Sequence, residues 1–191
     1  MEPSINTPKA AYPEPLDAIV LAGTDDNPRR MIQGQNKAFL EIGGKALVRR
    51  VVEALLQSKK VGQVFVVGPI DRLHAALDNV SPSITLVAQK GKMMANAWAA
   101  FEAAEVHQRD LGKPDKLERP VLILSCDLPL ITPAAVEDFM ARCAEADGRA
   151  DRGYSILCGV AEEASLKQYY PEEGKPGIVR PYVNFAEFRV R

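Results

Sequence analysis

The chain has 191 residues, 47% hydrophobic and 26% charged, with 24 lysines and arginines against 25 aspartates and glutamates. A formal net charge of −1 supplies no bulk field for nucleic acid or an anionic membrane surface, and no apolar run approaches the length of a membrane span or shows a signal-peptide core. Cys126, Cys143 and Cys158, with His74 and His107, show no metal spacing and leave an odd cysteine, so a reducing, cytoplasmic setting is expected.

The length suits one domain of ordinary size with a sizeable core. Residues 1–15 are rich in Pro, Ser and Asn and read as a flexible lead-in to a domain over 16–191. Ala18–Leu21 is a short continuous apolar run, the pattern of a strand buried on both faces. Leu47, Val48, Val51, Val52, Leu55 and Leu56 recur at helical spacing and predict an amphipathic helix. Val64–Val67 reads as a second buried strand ended by Gly68-Pro69, and a short helix follows over Asp71–Leu77. Ile84–Val87 is the third strand, and Gly91 precedes a helix through Ala95–Val106, with Met93, Met94 and Trp98 expected in packing. After a charged connection at Arg109–Arg119, Val121–Leu124 is the fourth strand, broken by Asp127-Leu128-Pro129. Thr132 as N-cap and Pro133 in the first turn open a helix to about Ala146. Strand and helix alternating in this rhythm predict a three-layer α/β/α sandwich with a mainly parallel sheet. Tyr154–Val160 reads as strand-like, and Val179–Arg191 as an extended hairpin or edge strand.

These elements are organised around the stretch from Ala18 through Gly23 to Arg30-Met31, and on to Asn36-Lys37-Ala38-Phe39-Leu40. A buried strand that empties into a Gly-containing, basic loop places cations and backbone N–H groups at the carboxyl edge of a sheet, where open α/β sheets bind ligands. The implied ligand is an anion, with phosphate the leading candidate. The common phosphate loops do not fit. A dinucleotide fingerprint needs further glycines where Asp25 and Pro28 stand, and a P-loop ending at Gly44-Lys45 needs glycine and a hydroxyl residue where Phe39 and Ala46 stand. Instead Leu21-Ala22-Gly23, Arg30-Met31, Lys37-Ala38-Phe39-Leu40 and Gly44-Lys45-Ala46-Leu47 together resemble the signature of the molybdenum-cofactor guanylyltransferase-like NTP transferases, close to the sugar-phosphate nucleotidyltransferases. The resemblance covers most of residues 16–191 and implies a Rossmann-like nucleotidyltransferase fold of the glycosyltransferase-A type.

On that resemblance Arg30 and Lys37 bind the triphosphate and stabilise negative charge during transfer, the contribution nucleotidyl chemistry needs most. Solvated surface cations are the plainer alternative. The backbone of Leu21, Ala22 and Gly23 would abut the base. Asp127, in Ser125-Cys126-Asp127-Leu128-Pro129-Leu130, stands at the carboxyl end of a buried strand and matches the family's metal-binding aspartate, where Mg²⁺ would find a hard oxygen ligand. A turn-capping aspartate is the alternative. Gly91 and Asn96, and more loosely Gln89, match a Gly-rich turn and helix start that contacts base and ribose in relatives, although Lys92-Met93 replaces the usual small hydroxyl residues. The loop Gly23-Thr24-Asp25-Asp26-Asn27-Pro28 departs from the usual Gly-Gly-x-Gly by adding two carboxylates. These face solvent, help hold Mg²⁺, or oppose the triphosphate in a site that has lost its activity. Arg191 falls before the Gly/Asn-containing turn that faces the acceptor in relatives, so the expectation is either that the natural protein is longer or that the acceptor half is reduced.

The implied activity is Mg²⁺-dependent transfer of an NMP from an NTP to a small phosphorylated acceptor, a sugar phosphate or a cofactor phosphate, with release of pyrophosphate. Neither nucleic acid nor a membrane is an expected partner. No nucleophile with an adjacent base stands out, so no covalent intermediate is implied. The alternative is a nucleotide-binding or regulatory module of the same fold without turnover. A metal-dependent glycosyltransferase of this fold class would want a second aspartate, which Asp127-Leu128-Pro129 lacks.

Overall fold

Leu16–Leu21 forms strand β1, and all of it except Leu21 is buried, because it is paired along both edges and covered on both faces. The computed structural model describes residues 12, 15–23, 35–112, 120–149, 156–159, 163–167, 170–172 and 175. Along the chain β1 is followed by a single 3-10 turn (Lys37–Phe39), β2 (Glu41–Ile42), β3 (Lys45–Ala46), α1 (Leu47–Gln57), β4 (Val61–Gly68), α2 (Ile70–Leu77), β5 (Ile84–Ala88), α3 (Met93–Asp110), β6 (Leu122–Ser125), α4 (Pro133–Arg149) and α5 (Glu163–Leu166). The strands and helices expected between residues 18 and 146 are all present, as is the parallel sheet.

Four parallel strands form the main sheet in the order β5-β4-β1-β6. The chain moves outward from β1 through β4 to β5 and then returns to the other side of β1 with β6. The strand order therefore reverses between β1 and β6, at the position where doubly wound sheets open a ligand crevice. The register brings the carboxyl ends level. Leu21 lies opposite Val67 of β4 and Ser125 of β6, and Gly68 lies opposite Ala88 of β5.

Alternation along β1 divides the core. Ala18, Val20 and Ala22 face one side with Val64 and Val66, where they meet Val48, Val51, Val52 and Leu55 of α1, Leu73 and Leu77 of α2, and Val136 and Met140 of α4. Ile19, Phe65 and Val67 face the other side, against Ala100 and Ala104 of α3, whose small side chains let the helix lie close. Two helical layers on a sheet make the three-layer sandwich. Each fully buried valine or leucine on α1 contributes roughly 1.5–3 kcal/mol, whereas the Arg142–Asp138 pair on α4 stands in solvent, where ion pairs are weak. Burial, not surface charge, holds the helices in place.

Trp98, Met93 and Met94 depart from the expected packing. Trp98 stands 64% exposed with its ring stacked on Phe101, and both methionines project to solvent, because the sheet-facing side of α3 is taken by Asn96, Ala99, Ala100 and Ala104. Tyr12, inside the expected lead-in, is half-buried, and its hydroxyl donates to the Cys143 carbonyl on α4 at 3.2 Å. The chain divides into two units, Met1–Gly153 and Tyr154–Arg191. In the second, Ile156–Gly159 forms no regular element where a strand was expected, and Val179–Arg191 lies outside the described residues.

β2 and β3 form an antiparallel hairpin closed by Gly43 and Gly44, both at positive φ (+59° and +72°), the conformation a two-residue hairpin turn of this hand demands. Arg50 of α1 donates through Nε to the Ile42 carbonyl at 3.0 Å. Glu53 accepts from Lys45 Nζ at 2.7 Å and from Arg49 Nε at 3.0 Å. The Lys45 hydrogen bond chiefly, with Arg49 beside it, holds the Glu53 carboxyl below its ordinary value of 4.5 against the opposing effect of burial. A carboxyl with a lowered folded-state pKa binds fewer protons folded than unfolded. Its stabilisation is therefore present above about pH 4.5 and is lost as pH falls through the lower folded value. Denaturant titrations across this acid range should show the parent losing stability more steeply than Glu53→Gln. Parallel acid limbs for the two chains would show that this ion cluster does not link the hairpin to α1.

Candidate functional site

The site grows from the residues that follow β1. The Ala22 N–H donates to the Val67 carbonyl at 2.9 Å, and its own carbonyl accepts from Asn36 Nδ2 at 3.0 Å. A Cβ on Gly68 would lie 2.9 Å from that same carbonyl, so β4 approaches Ala22 only where a side chain is missing. A Cβ on Gly23 would lie 2.3 Å from Asn96 Nδ2 and 3.5 Å from Gln89 Oε1. Glycine is therefore required at 23 for close approach to the start of α3, and the Leu-Ala-Gly run ends where the packing needs it to end.

Asn36 stands on the other flank. Its side-chain oxygen accepts from the Ala38 N–H at 3.0 Å and caps the 3-10 turn that begins with Lys37. Ala38 and Phe39 are buried, and Arg72 lies over the Phe39 ring at 4.2 Å. From this anchored turn Lys37 Nζ reaches Asp127 Oδ2 at 3.6 Å. Asp127 lies two residues past the end of β6, and the N–H of the intervening Cys126 donates to the Leu21 carbonyl at 3.2 Å. The Ser125 hydroxyl donates to the other Asp127 oxygen at 2.5 Å. Lys37 and Asp127 are both partly open to solvent, at 35% and 40% of their side chains, so a ligand can reach them.

Cys126, the residue before Asp127, is buried. Burial chiefly, with the Asp127 charge next, pushes its thiol up to about 12, so thiolate is scarce at neutral pH and the sulfur is no nucleophile.

At the far end of the edge, Gln89 donates its N–H to the Gly68 carbonyl at 3.2 Å, and Gly91 holds φ +101°, a backbone that L side chains rarely adopt. Asn96, 4% exposed, accepts from the Lys90 N–H at 2.6 Å and donates to the Gly91 carbonyl at 3.2 Å. Both ends of its amide are engaged in shaping the 89–91 turn.

Of the residues singled out in the sequence, Lys37 meets Asp127, while Gly23, Gln89 and Asn96 gather around one close approach. Leu21 and Ala22 join the two groups. Arg30, with Asp25 and Asp26, lies outside the described residues. Asn36 and Ser125 were not singled out as site residues. An asparagine ahead of a short turn is a legible capping signal, but its bond to Ala22 has no local mark. Among the described residues, no group of three or more His, Cys, Asp and Glu side chains could hold a metal ion, and no helix is long and apolar enough to cross a membrane.

Comparison with known proteins identifies the family to which the chain belongs. The model of a family described as MobA-like NTP transferase domain matches residues 18–165. Among characterised proteins, the chain is 28% identical over 112 residues to 2-C-methyl-D-erythritol 4-phosphate cytidylyltransferase of Rhodococcus opacus, covering 54% of this chain and 50% of that protein. The Rhodococcus jostii enzyme of the same name matches to the same extent. The chain thus spans about half the length of the curated relatives it matches. Among solved structures, 4-diphosphocytidyl-2C-methyl-D-erythritol synthase of Anaerococcus prevotii superposes with a TM-score of 0.50 at 13% identity, over 70% of this chain and 52% of that one. A nucleotidyl transferase from Methanothermobacter thermautotroptrophicus does so with a TM-score of 0.50 at 17% identity, over 66% and 56%. Those two structures share the fold.

A methyl group at 23 must push the Asn96 amide out of the 89–91 turn and leave buried polar groups without partners. Gly23→Ala should therefore lose about 1–3 kcal/mol of stability, and the loss should shrink when Asn96→Ala is added. Urea unfolding checks both. A Gly23→Ala chain within about 0.5 kcal/mol of the parent would show that the approach to Asn96 is not tight.

Proposed function

Because the chain belongs to the MobA-like NTP transferase domain family, we propose that it transfers an NMP from an NTP to a small phosphorylated acceptor, a sugar phosphate or a cofactor phosphate. The observation that carries this reading is the meeting of Lys37 and Asp127 at the carboxyl edge, where the strand order reverses between β1 and β6. An ammonium and a carboxylate side by side suit a ligand that brings both an anion and a cation, and an NTP with Mg²⁺ is such a ligand. The relatives' name, a cytidylyltransferase of a 4-phosphate, supports a phosphorylated acceptor as the class.

Asp127 with the Ser125 hydroxyl fits Mg²⁺ on the chemistry of the donors, which are oxygens. With one carboxylate in place, phosphate oxygens and water would supply the remaining ligands, as is usual for this ion at phosphate sites. When bound, the ion would neutralise the phosphates and polarise the phosphorus under attack. Lys37 turns from Asp127 to the phosphate oxygens and, with Arg30 by its place in the signature, stabilises the charge that builds on the departing pyrophosphate. The backbone of Leu21–Gly23 abuts the base, and the Gly91 turn closes that side. An acceptor oxygen forms the new bond to the α-phosphorus as the bond from that phosphorus to the bridging oxygen of pyrophosphate breaks. Cys126 is buried and takes no part, and the displacement is direct.

The test is a screen of the four NTPs with Mg²⁺ and a set of sugar and cofactor phosphates, read as pyrophosphate release and as calorimetric NTP binding. The parent should bind an NTP. Lys37→Ala should weaken that binding by roughly 1.5–3 kcal/mol, the worth of a charge-assisted contact, with little change in thermal stability. Asp127→Asn should keep the fold and abolish the metal-dependent part of binding and turnover. NTP binding without pyrophosphate release from any pair would point to a nucleotide-binding module. An Asp127→Asn chain that turns over like its parent would remove Asp127 from the metal site.

A further inference from the structure

Ala22 is fully buried and lies one residue beyond the end of β1, so its carbonyl has left the strand ladder. The partner it finds is the side chain of a residue 14 positions later, Asn36. The same amide accepts from the Ala38 N–H, and the Asn36 carbonyl accepts from the Phe39 N–H at 3.1 Å. Its orientation is set by its partners, since a carbonyl only accepts and a backbone N–H only donates. One end of the amide is thus fixed to the sheet and the other to the turn that Lys37 opens.

We propose that Asn36 is a positioning residue for Lys37, tying the turn that carries this ammonium to the carboxyl end of β1. This inference rests on the reading of Lys37 as a triphosphate ligand. On one side of Lys37 stands Asn36, bonded to β1. On the other stand Ala38 and Phe39, buried in the core. The Lys37 backbone is therefore fastened from both directions, and the ammonium is presented beside Asp127 rather than left to wander with a surface loop. An amide of this length is the group that does both tasks. Aspartate keeps the acceptor but sets a carboxylate against the Ala22 carbonyl, and serine keeps the cap but is too short to span to β1. Leucine has neither end. Since both ends of the Asn36 amide are already engaged within the protein, its effect on binding should pass through Lys37.

A double-mutant cycle with a probe that has no base decides this. Mg²⁺ with inorganic tripolyphosphate is titrated calorimetrically into the full chain as parent, Asn36→Ser, Lys37→Ala and the double variant, with thermal unfolding measured on each. Asn36→Ser should bind the probe about tenfold more weakly than the parent. In the Lys37→Ala background the same change should cost less than about twofold, because the group it positions is gone. Asn36→Ala, which loses both ends of the amide, should repeat the pattern more strongly. The serine variant decides the matter if the alanine chain does not fold. An equal loss in both backgrounds, or no loss in either, would overturn the positioning role while leaving Lys37 as a ligand. A parent that binds no tripolyphosphate would overturn the triphosphate reading and this inference with it, whereas a Lys37→Ala chain that binds like the parent would remove Lys37 from the site.

Discussion

β1 is paired on both edges and covered on both faces, so the chain that leaves it at Ala22 has little choice of path. Its carbonyl must find a donor within the protein, because a buried carbonyl without one costs about 1–3 kcal/mol, and Asn36 supplies it. Its next residue must be glycine, because the Asn96 amide already occupies the space a side chain would need. From these two demands the rest of the edge follows. The Asn36 turn brings Lys37 back over the end of β1, and the register of β6 sets Asp127 beside it. The Asn96 packing draws the start of α3 and the 89–91 turn to the same rim.

The Lys37–Asp127 pair adds little to the fold. At 3.6 Å, with more than a third of each side chain in solvent, such a pair contributes about 0–1 kcal/mol. A weak pair is cheap to open, and in the proposed reading each member exchanges the other for a stronger ligand, phosphate for the ammonium and metal for the carboxylate. Cys126 separates Asp127 from Ser125 in sequence but points into the core. Alternation along β6 and its exit thus sorts an inert thiol inward and leaves the two oxygen donors at the surface.

Much of this was legible in the residues. A continuous apolar run marked β1, short mostly apolar segments marked β4, β5 and β6, helical spacing marked α1, the Thr132-Pro133 start marked α4, and the layer order followed from the alternation of strand and helix. The family signature led to Lys37 and Asp127, which do meet. What stayed hidden depends on pairs distant in sequence. Nothing local to Gly23 announces Asn96, and nothing local to Asn36 announces Ala22. The Gly43-Gly44 hairpin escaped because strands of two residues carry no alternation to read. α3 begins at Met93, earlier than expected, and no side-chain cap at Lys92 marks that start. Trp98 was expected in the core on its apolar character, but its position on α3 turns it away from the sheet-facing alanines.

The central claim is that the carboxyl edge between β1 and β6 receives a triphosphate. Backbone amide hydrogen exchange with and without an NTP and Mg²⁺ tests it most directly, since it reads location without requiring an acceptor. Slowed exchange is expected at Leu21–Gly23, through the turn at Lys37–Leu40 and at Cys126–Asp127, with α2 and the α4 surface unchanged. Protection confined to some other face of the molecule, or no protection with any of the four NTPs, would contradict it.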